Sequence, residues 1–180
     1  MQFRDLKKQY EVLKEGMDAA IGQVLTESNY ISGRQVAELE ETLAAYVGVR
    51  HCIACANGTD ALTLALMAWG IREGDAVFVP DFTFFSSAET AAYEGATPVF
   101  TDILEDTFNM DPDSLERAIK AVLAEGKLTP RAIVAVDLFG LPADYDRIRE
   151  IADRYCLYIL EDAAQGFGGE YHGRRAGSFG

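Results

Sequence analysis

One pattern constrains the fold of this chain more than any other. Short apolar runs alternate with stretches of helical spacing along most of its length. The runs fall at residues 51–56, 76–79, 98–100, 132–136 and 157–160, and the helical stretches between them at 60–69, 85–94, 114–124 and 143–155. Runs this short and this uniformly apolar predict strands buried on both faces, with the helices as crossovers between them. The expected class is therefore α/β, with a mostly parallel sheet and helices on both sides. Ahead of this pattern, Leu6, Tyr10, Leu13, Met17, Ile21 and Val24 recur at three- and four-residue steps, which predicts an amphipathic helix capped by Asp5. Residues 27–33 read as a loop. A second helix is expected over 34–47, with Val36, Leu39, Leu43 and Tyr46 on one face and Gly48 as its stop. No internal repeat, low-complexity tract or Gly/Pro/Ser-rich linker divides the chain, so residues 1–180 read as a single domain.

Bulk properties narrow the partners. The length of 180 residues suffices for one sizeable core. With 29 acidic against 16 basic residues the net charge is −13, which argues against nucleic acid or an anionic membrane surface. No apolar run approaches the roughly 20 residues that span a bilayer. The N-terminus lacks a signal-peptide core, and a cytoplasmic location is expected. Cys52-Ile53-Ala54-Cys55 has C-x-x-C spacing, but a zinc site would need two more ligands, from His51, His172 or the distant Cys156. The plainer expectation is that these cysteines are small apolar residues in a buried strand.

In open parallel sheets, ligands bind beyond the carboxyl ends of the strands. Three such places carry chemistry. Ala56-Asn57-Gly58-Thr59-Asp60-Ala61-Leu62 runs from a predicted strand into a helix through a glycine turn. Free amides and the helix dipole there suit an anion, with the Thr59 hydroxyl as a further donor and Asp60 directed away; a capped turn without ligand fits equally. Pro80-Asp81-Phe82-Thr83-Phe84-Phe85-Ser86-Ser87 clusters phenylalanines at a strand end, either as core or with one ring stacking on a planar ligand. Glu161-Asp162-Ala163-Ala164-Gln165-Gly166-Phe167-Gly168 delivers two carboxylates into a glycine-rich turn. An acid there either caps the next segment or meets a cation such as a protonated pyridine nitrogen. Gly166-Phe167-Gly168 begins like a dinucleotide fingerprint, but Tyr171 stands where the third glycine belongs. His51 and His172 offer only thin support for a hydrolytic triad.

Taken in order, these segments resemble the DegT/StrS-type sugar aminotransferases. The resemblance runs from Arg4-Asp5-Leu6-Lys7-Lys8-Gln9-Tyr10 through Ile31-Ser32-Gly33, Val36-Ala37-Glu38-Leu39-Glu40, Asn57 to Leu62, Pro80 to Ser87 and Val136-Asp137-Leu138-Phe139-Gly140. Glu161-Asp162-Ala163-Ala164-Gln165 is its most specific part. The resemblance implies the large, cofactor-binding domain of a fold-type I aminotransferase, incomplete at its C-terminus and without the small C-terminal domain. It implies pyridoxal 5′-phosphate as cofactor, glutamate and a nucleotide-linked keto sugar as substrates, and a homodimer. By position, Gly58 and Thr59 would bind the cofactor phosphate, Phe84 would stack on the pyridine ring, Asp162 would pair with the ring nitrogen and Gln165 would bond near the phenolic oxygen. An ionised Asp162 would keep that nitrogen protonated, the state in which the ring best withdraws electrons from the substrate carbon.

Two departures stand out. Many members carry histidine where this chain has Phe167, and this version is closer to the branch acting on UDP-linked amino-sugar precursors. The family's Schiff-base lysine lies beyond Gly177-Ser178-Phe179-Gly180, and none of Lys7, Lys8, Lys14, Lys120 and Lys127 matches it; Ser178 is likewise not the family's phosphate-binding serine. These 180 residues alone are thus expected to be inactive. Two other readings stay open: a non-catalytic cofactor- or sugar-nucleotide-binding protein or partner subunit, and a sugar-nucleotide dehydratase on the same scaffold.

Overall fold

The computed structural model describes residues 5–180; Arg4, the first residue of the resemblance, lies outside them. Helix α1 spans Leu6–Glu27 and α2 spans Arg34–Val47. The Asp5 carboxylate accepts from the Lys8 amide at 2.9 Å, as an N-cap does. Gly48 closes α2 with a left-handed φ of 84°, a conformation that costs glycine little. The elements that follow are α3 (Gly58–Ala68), β1 (Asp75–Pro80), α4 (Ser86–Tyr93), β2 (Thr97–Thr101), α5 (Pro112–Glu125), β3 (Thr129–Val136), α6 (Tyr145–Tyr155), β4 (Tyr158–Asp162) and the short hairpin of β5 (Glu170–Tyr171) and β6 (Arg174–Arg175).

Strands β1 to β4 form one parallel sheet in the order β2-β1-β3-β4. The connection from β1 to β2 moves one way across the sheet, and those from β2 to β3 and β3 to β4 move the other way. Right-handed crossovers then require the first helix and the later two to lie on opposite faces. Two buried clusters record that arrangement. Val77, Val79, Val134 and Val136 pack with Leu66 of α3 and Ala91 of α4. Ala76, Phe78, Ile133 and Ala135 pack with Leu115 and Ile119 of α5 and Ile148 of α6. Successive residues of a strand point to opposite faces, so a strand covered on both sides must be apolar throughout.

The run at 51–56 is not a strand. It lies in irregular chain with Ile53 83% exposed, Cys55 exposed and Cys52 half-buried, and its Ala54 amide donates to the Glu40 carboxylate at 2.7 Å. An apolar run becomes a strand only beside another strand's free edge, and among the described residues none pairs with this one. The cysteines are correspondingly not core residues, and Cys156 is exposed at the left-handed C-cap of α6. Helix α1 buries none of its residues, and its apolar stripe stands open. No helix among the described residues is long and apolar enough to cross a membrane.

Burial sets the stability expected of each layer. Phe78→Ala, a fully buried ring at the sheet centre, should cost about 3–5 kcal/mol. Leu13→Ala on the open face of α1 should stay within about 0.5 kcal/mol. Urea denaturation of the two variants measures the contrast, and equal losses would contradict this assignment of the core.

Candidate active site

The sheet reverses its direction of growth between β1 and β3, and a crevice is expected at the carboxyl ends of those strands. A cavity of about 240 Å³ opens there. Its walls come from the start of α3 (Gly58, Thr59, Leu62), the turn after β1 (Thr83, Phe84, Ser86), the end of β3 (Val136) and the end of β4 with its loop (Asp162, Ala164, Gln165). All five residues singled out from the sequence therefore face one space: Gly58, Thr59, Phe84, Asp162 and Gln165.

Each wall presents a different chemistry. Asn57 caps α3 by accepting from the Asp60 amide at 2.9 Å, and its own amide group donates to the Asp60 carboxylate at 3.0 Å. That carboxylate is thus engaged outside the cavity lining. The first intrahelical bond runs from the Ala61 amide to the Asn57 carbonyl, which leaves the Gly58 and Thr59 amides without a helical acceptor. A Cβ placed on Gly58 would meet nothing within 4 Å, so open space fronts these amides. The phenylalanines after β1 are not core: Phe84 is 69% exposed, and Phe82 and Phe85 are also exposed. The strand ends before them, at Pro80, and the chain leaves the sheet for solvent.

Asp162 is buried at the end of β4. Its Oδ2 accepts from the Ser87 hydroxyl at 2.7 Å, and its Oδ1 takes only a long bond, 3.4 Å, from the Ala164 amide. A buried carboxylate with one oxygen so lightly engaged is suited to a cationic partner. Gln165 accepts the Phe139 amide on Oε1 at 2.8 Å, which leaves its side-chain N–H₂ as the free donor. Donors for an anion, an open ring face, a buried acid and an amide donor together fit a phosphorylated, protonated pyridine bearing a phenolic oxygen.

Sequence reasoning missed two residues. Ser87 is fully buried and holds Asp162. Its only trace was a serine pair at a helix start. Asp137 is also fully buried; its Oδ1 accepts from the Ala143 amide at 3.1 Å and the Tyr145 hydroxyl at 2.7 Å, and its Oδ2 has no partner among the described residues. The signal was present, because Asp137 follows a strand just as Asp162 ends one. Burial, reinforced by the Glu161 carboxylate, pushes Asp137 up to about 7. Burial and the charges of Asp137, Glu161 and Asp162 also push the Tyr145 phenol upward. Gly166 is fixed by this acid, since a Cβ there would stand 2.6 Å from the Asp137 Cβ. Alanine at 166 would displace the turn that carries Gln165.

Strand order, crossover sense and a cavity at the switch point place the chain among the fold-type I pyridoxal-phosphate aminotransferases. More narrowly, the model of the DegT/DnrJ/EryC1/StrS aminotransferase family matches residues 11–180, and the chain belongs to that family. It is 47% identical over 98% of its length to UDP-2-acetamido-2-deoxy-3-oxo-D-glucuronate aminotransferase of Pseudomonas aeruginosa, of which it covers 47%. A DegT DnrJ EryC1 StrS aminotransferase from Brucella abortus superposes with a TM-score of 0.97 at 52% identity, covering 98% of this chain and 48% of that one. NtdA from Bacillus subtilis, solved with bound cofactor PMP, matches at a TM-score of 0.78 and 34% identity over 86% of this chain and 34% of its own. The chain spans about half the length of the curated relatives it matches. Members of the family depend on pyridoxal phosphate.

Asp137 makes stability depend on pH. Its folded value lies above the ordinary 3.8, so the protonated form is the one that folding favours. That contribution is complete below about pH 4 and is lost as pH rises through about 7. The melting temperature should fall between pH 5 and pH 8. Asp137→Asn, neutral throughout and still able to accept on Oδ1, should flatten the fall. A wild-type profile already flat over this range would contradict it.

Proposed function

We propose that these residues belong to a cytoplasmic, pyridoxal-phosphate-dependent aminotransferase that moves an amino group from glutamate to a keto group of a nucleotide-linked sugar. A UDP-linked sugar is the favoured class. They form the N-terminal portion of its large cofactor-binding domain. The observation that carries the reading is convergence: Gly58 and Thr59 share one cavity with the buried Asp162, although the whole sheet lies between them in sequence. The name of the Pseudomonas aeruginosa relative, which specifies a UDP-linked oxo sugar, and Phe167 at a position where many members carry histidine, support the UDP class. The open apolar stripe of α1 is consistent with a homodimer.

Bound in this cavity, the cofactor would supply an electron sink for a substrate carbon that loses a proton. The chain's residues have distinct tasks around it. The Gly58 and Thr59 amides, at the positive end of α3, hold the phosphate. Phe84 would cover one face of the ring. Asp162 holds a proton on the ring nitrogen by charge, an interaction strengthened by its burial. Gln165, oriented through its bond from the Phe139 amide, donates toward the phenolic oxygen.

In the full-length enzyme, Asp162→Asn should leave the circular dichroism spectrum unchanged and lower kcat about 10²-fold or more, the scale seen when a fixed electrostatic partner of the reacting system is removed. Unchanged turnover would take Asp162 out of this role. None of the chain's lysines lines the cavity, so the 180-residue polypeptide should take up cofactor without turnover. Amino-sugar product formed by it from glutamate and a keto sugar nucleotide would overturn that expectation.

A further inference from the structure

We infer that Ser86 and Ser87, the first two residues of α4, are positioning residues that set the cofactor pocket from opposite ends. Ser86 acts through Thr59 on the phosphate side, and Ser87 acts through Asp162 on the ring-nitrogen side. The inference rests on the pyridoxal-phosphate reading of the cavity and adds two residues to which that reading gives no part.

Neighbouring residues on a helix diverge by roughly 100° around its axis, so one short segment can reach two separate partners. The Ser86 and Thr59 hydroxyls lie 2.8 Å apart and tie α4 to the start of α3. The Ser87 hydroxyl lies 2.7 Å from Asp162 Oδ2 and ties α4 to the end of β4. Ser86 is 7% exposed and Ser87 is fully buried. The N-cap position of α4 belongs to Phe85, so neither serine stands where a side chain would cap the helix. Ser86 pairs with Thr59 of α3 and Ser87 with Asp162 of β4, besides Thr83 in the turn before α4. A buried hydroxyl is costly unless its bonds are made, so both contacts constrain the geometry around them.

The direction of the bonds at Ser87 follows from counting protons. A hydroxyl carries one proton, and an ionised carboxylate only accepts. Ser87 therefore donates to Asp162 and accepts from Thr83, whose hydroxyl lies 3.0 Å away. With Oδ2 taking the short Ser87 bond and Oδ1 only a long one from the Ala164 amide, Oδ1 is the oxygen with more capacity left for a protonated ring nitrogen. Helix α4 thus acts as a spacer that fixes the separation between the phosphate cradle and the acid.

The test uses pyridoxamine 5′-phosphate, an amine that binds without a lysine, and pyridoxamine, which lacks the phosphate. Affinities for the chain are read by fluorescence titration at one neutral pH. Ser86→Ala should weaken pyridoxamine phosphate about tenfold and leave pyridoxamine unchanged. Ser87→Ala should weaken both about equally and move the ring ¹⁵N resonance of bound, labelled pyridoxamine phosphate from the protonated toward the neutral position. Ser87→Thr, which keeps the hydroxyl, should restore that resonance. If both alanine variants weaken the two ligands alike and leave the resonance in place, the serines are packing residues and the inference fails. If wild type binds neither ligand, the reading of the cavity itself fails, and the inference with it.

Discussion

A carboxylate buried at the end of a parallel strand is the interaction on which this structure turns. Removing a charge from water is costly unless donors or a cation compensate. Asp162 has one firm donor, Ser87, and one long contact, the Ala164 amide. Among the described residues, its Oδ1 therefore keeps room for a further donor. Under the function proposed above, that oxygen would face the cation carried by the ligand. Ser87 holds the other oxygen at 2.7 Å.

Everything else in the site follows from where the sheet puts its carboxyl ends. The parallel order β2-β1-β3-β4 brings the ends of β1, β3 and β4 to one side. Residues that open into solvent there, such as Phe84 and Gln165, can then address one object. The hand of the β1-to-β2 crossover sets the side on which α4 lies, and α3 packs on that same side of the sheet. That shared side allows Ser86 to reach Thr59 at the start of α3. The second acid, Asp137, stands behind this arrangement. It holds the start of α6 through Ala143 and Tyr145, and it presses on Gly166, which permits the close turn leading from Asp162 past Gln165.

Much of this was legible from residue order. The alternation of apolar runs with helical stretches located every strand of the sheet, but only the central β1 and most of β3 are buried on both faces; at the edges, β2 exposes Phe100 and β4 exposes Tyr158, because an edge strand is covered less fully. The loops bearing Gly58, Thr59, Phe84, Asp162 and Gln165 stood out because glycine turns, aromatic clusters and acids at strand ends are locally conspicuous. The run at 51–56 misled for a related reason. Its composition suits a strand, but pairing depends on an edge that composition does not describe. The phenylalanines after β1 were ambiguous in the same way, since an apolar ring is equally at home in a core and above a planar ligand.

The sequence by itself determined the class of fold, the positions of the crossovers and the residue types offered at each strand end. These are properties of local periodicity and turn chemistry, and they survive without knowledge of neighbours. Only the tertiary structure decided which of those ends share a cavity, that Ser87 gives Asp162 its short hydrogen bond, and that Asp137 is buried while the cysteines are not. The contacts that join the site, Thr59 with Ser86 and Ser87 with Asp162, pair residues brought together from distant parts of the chain. No window of sequence contains both members.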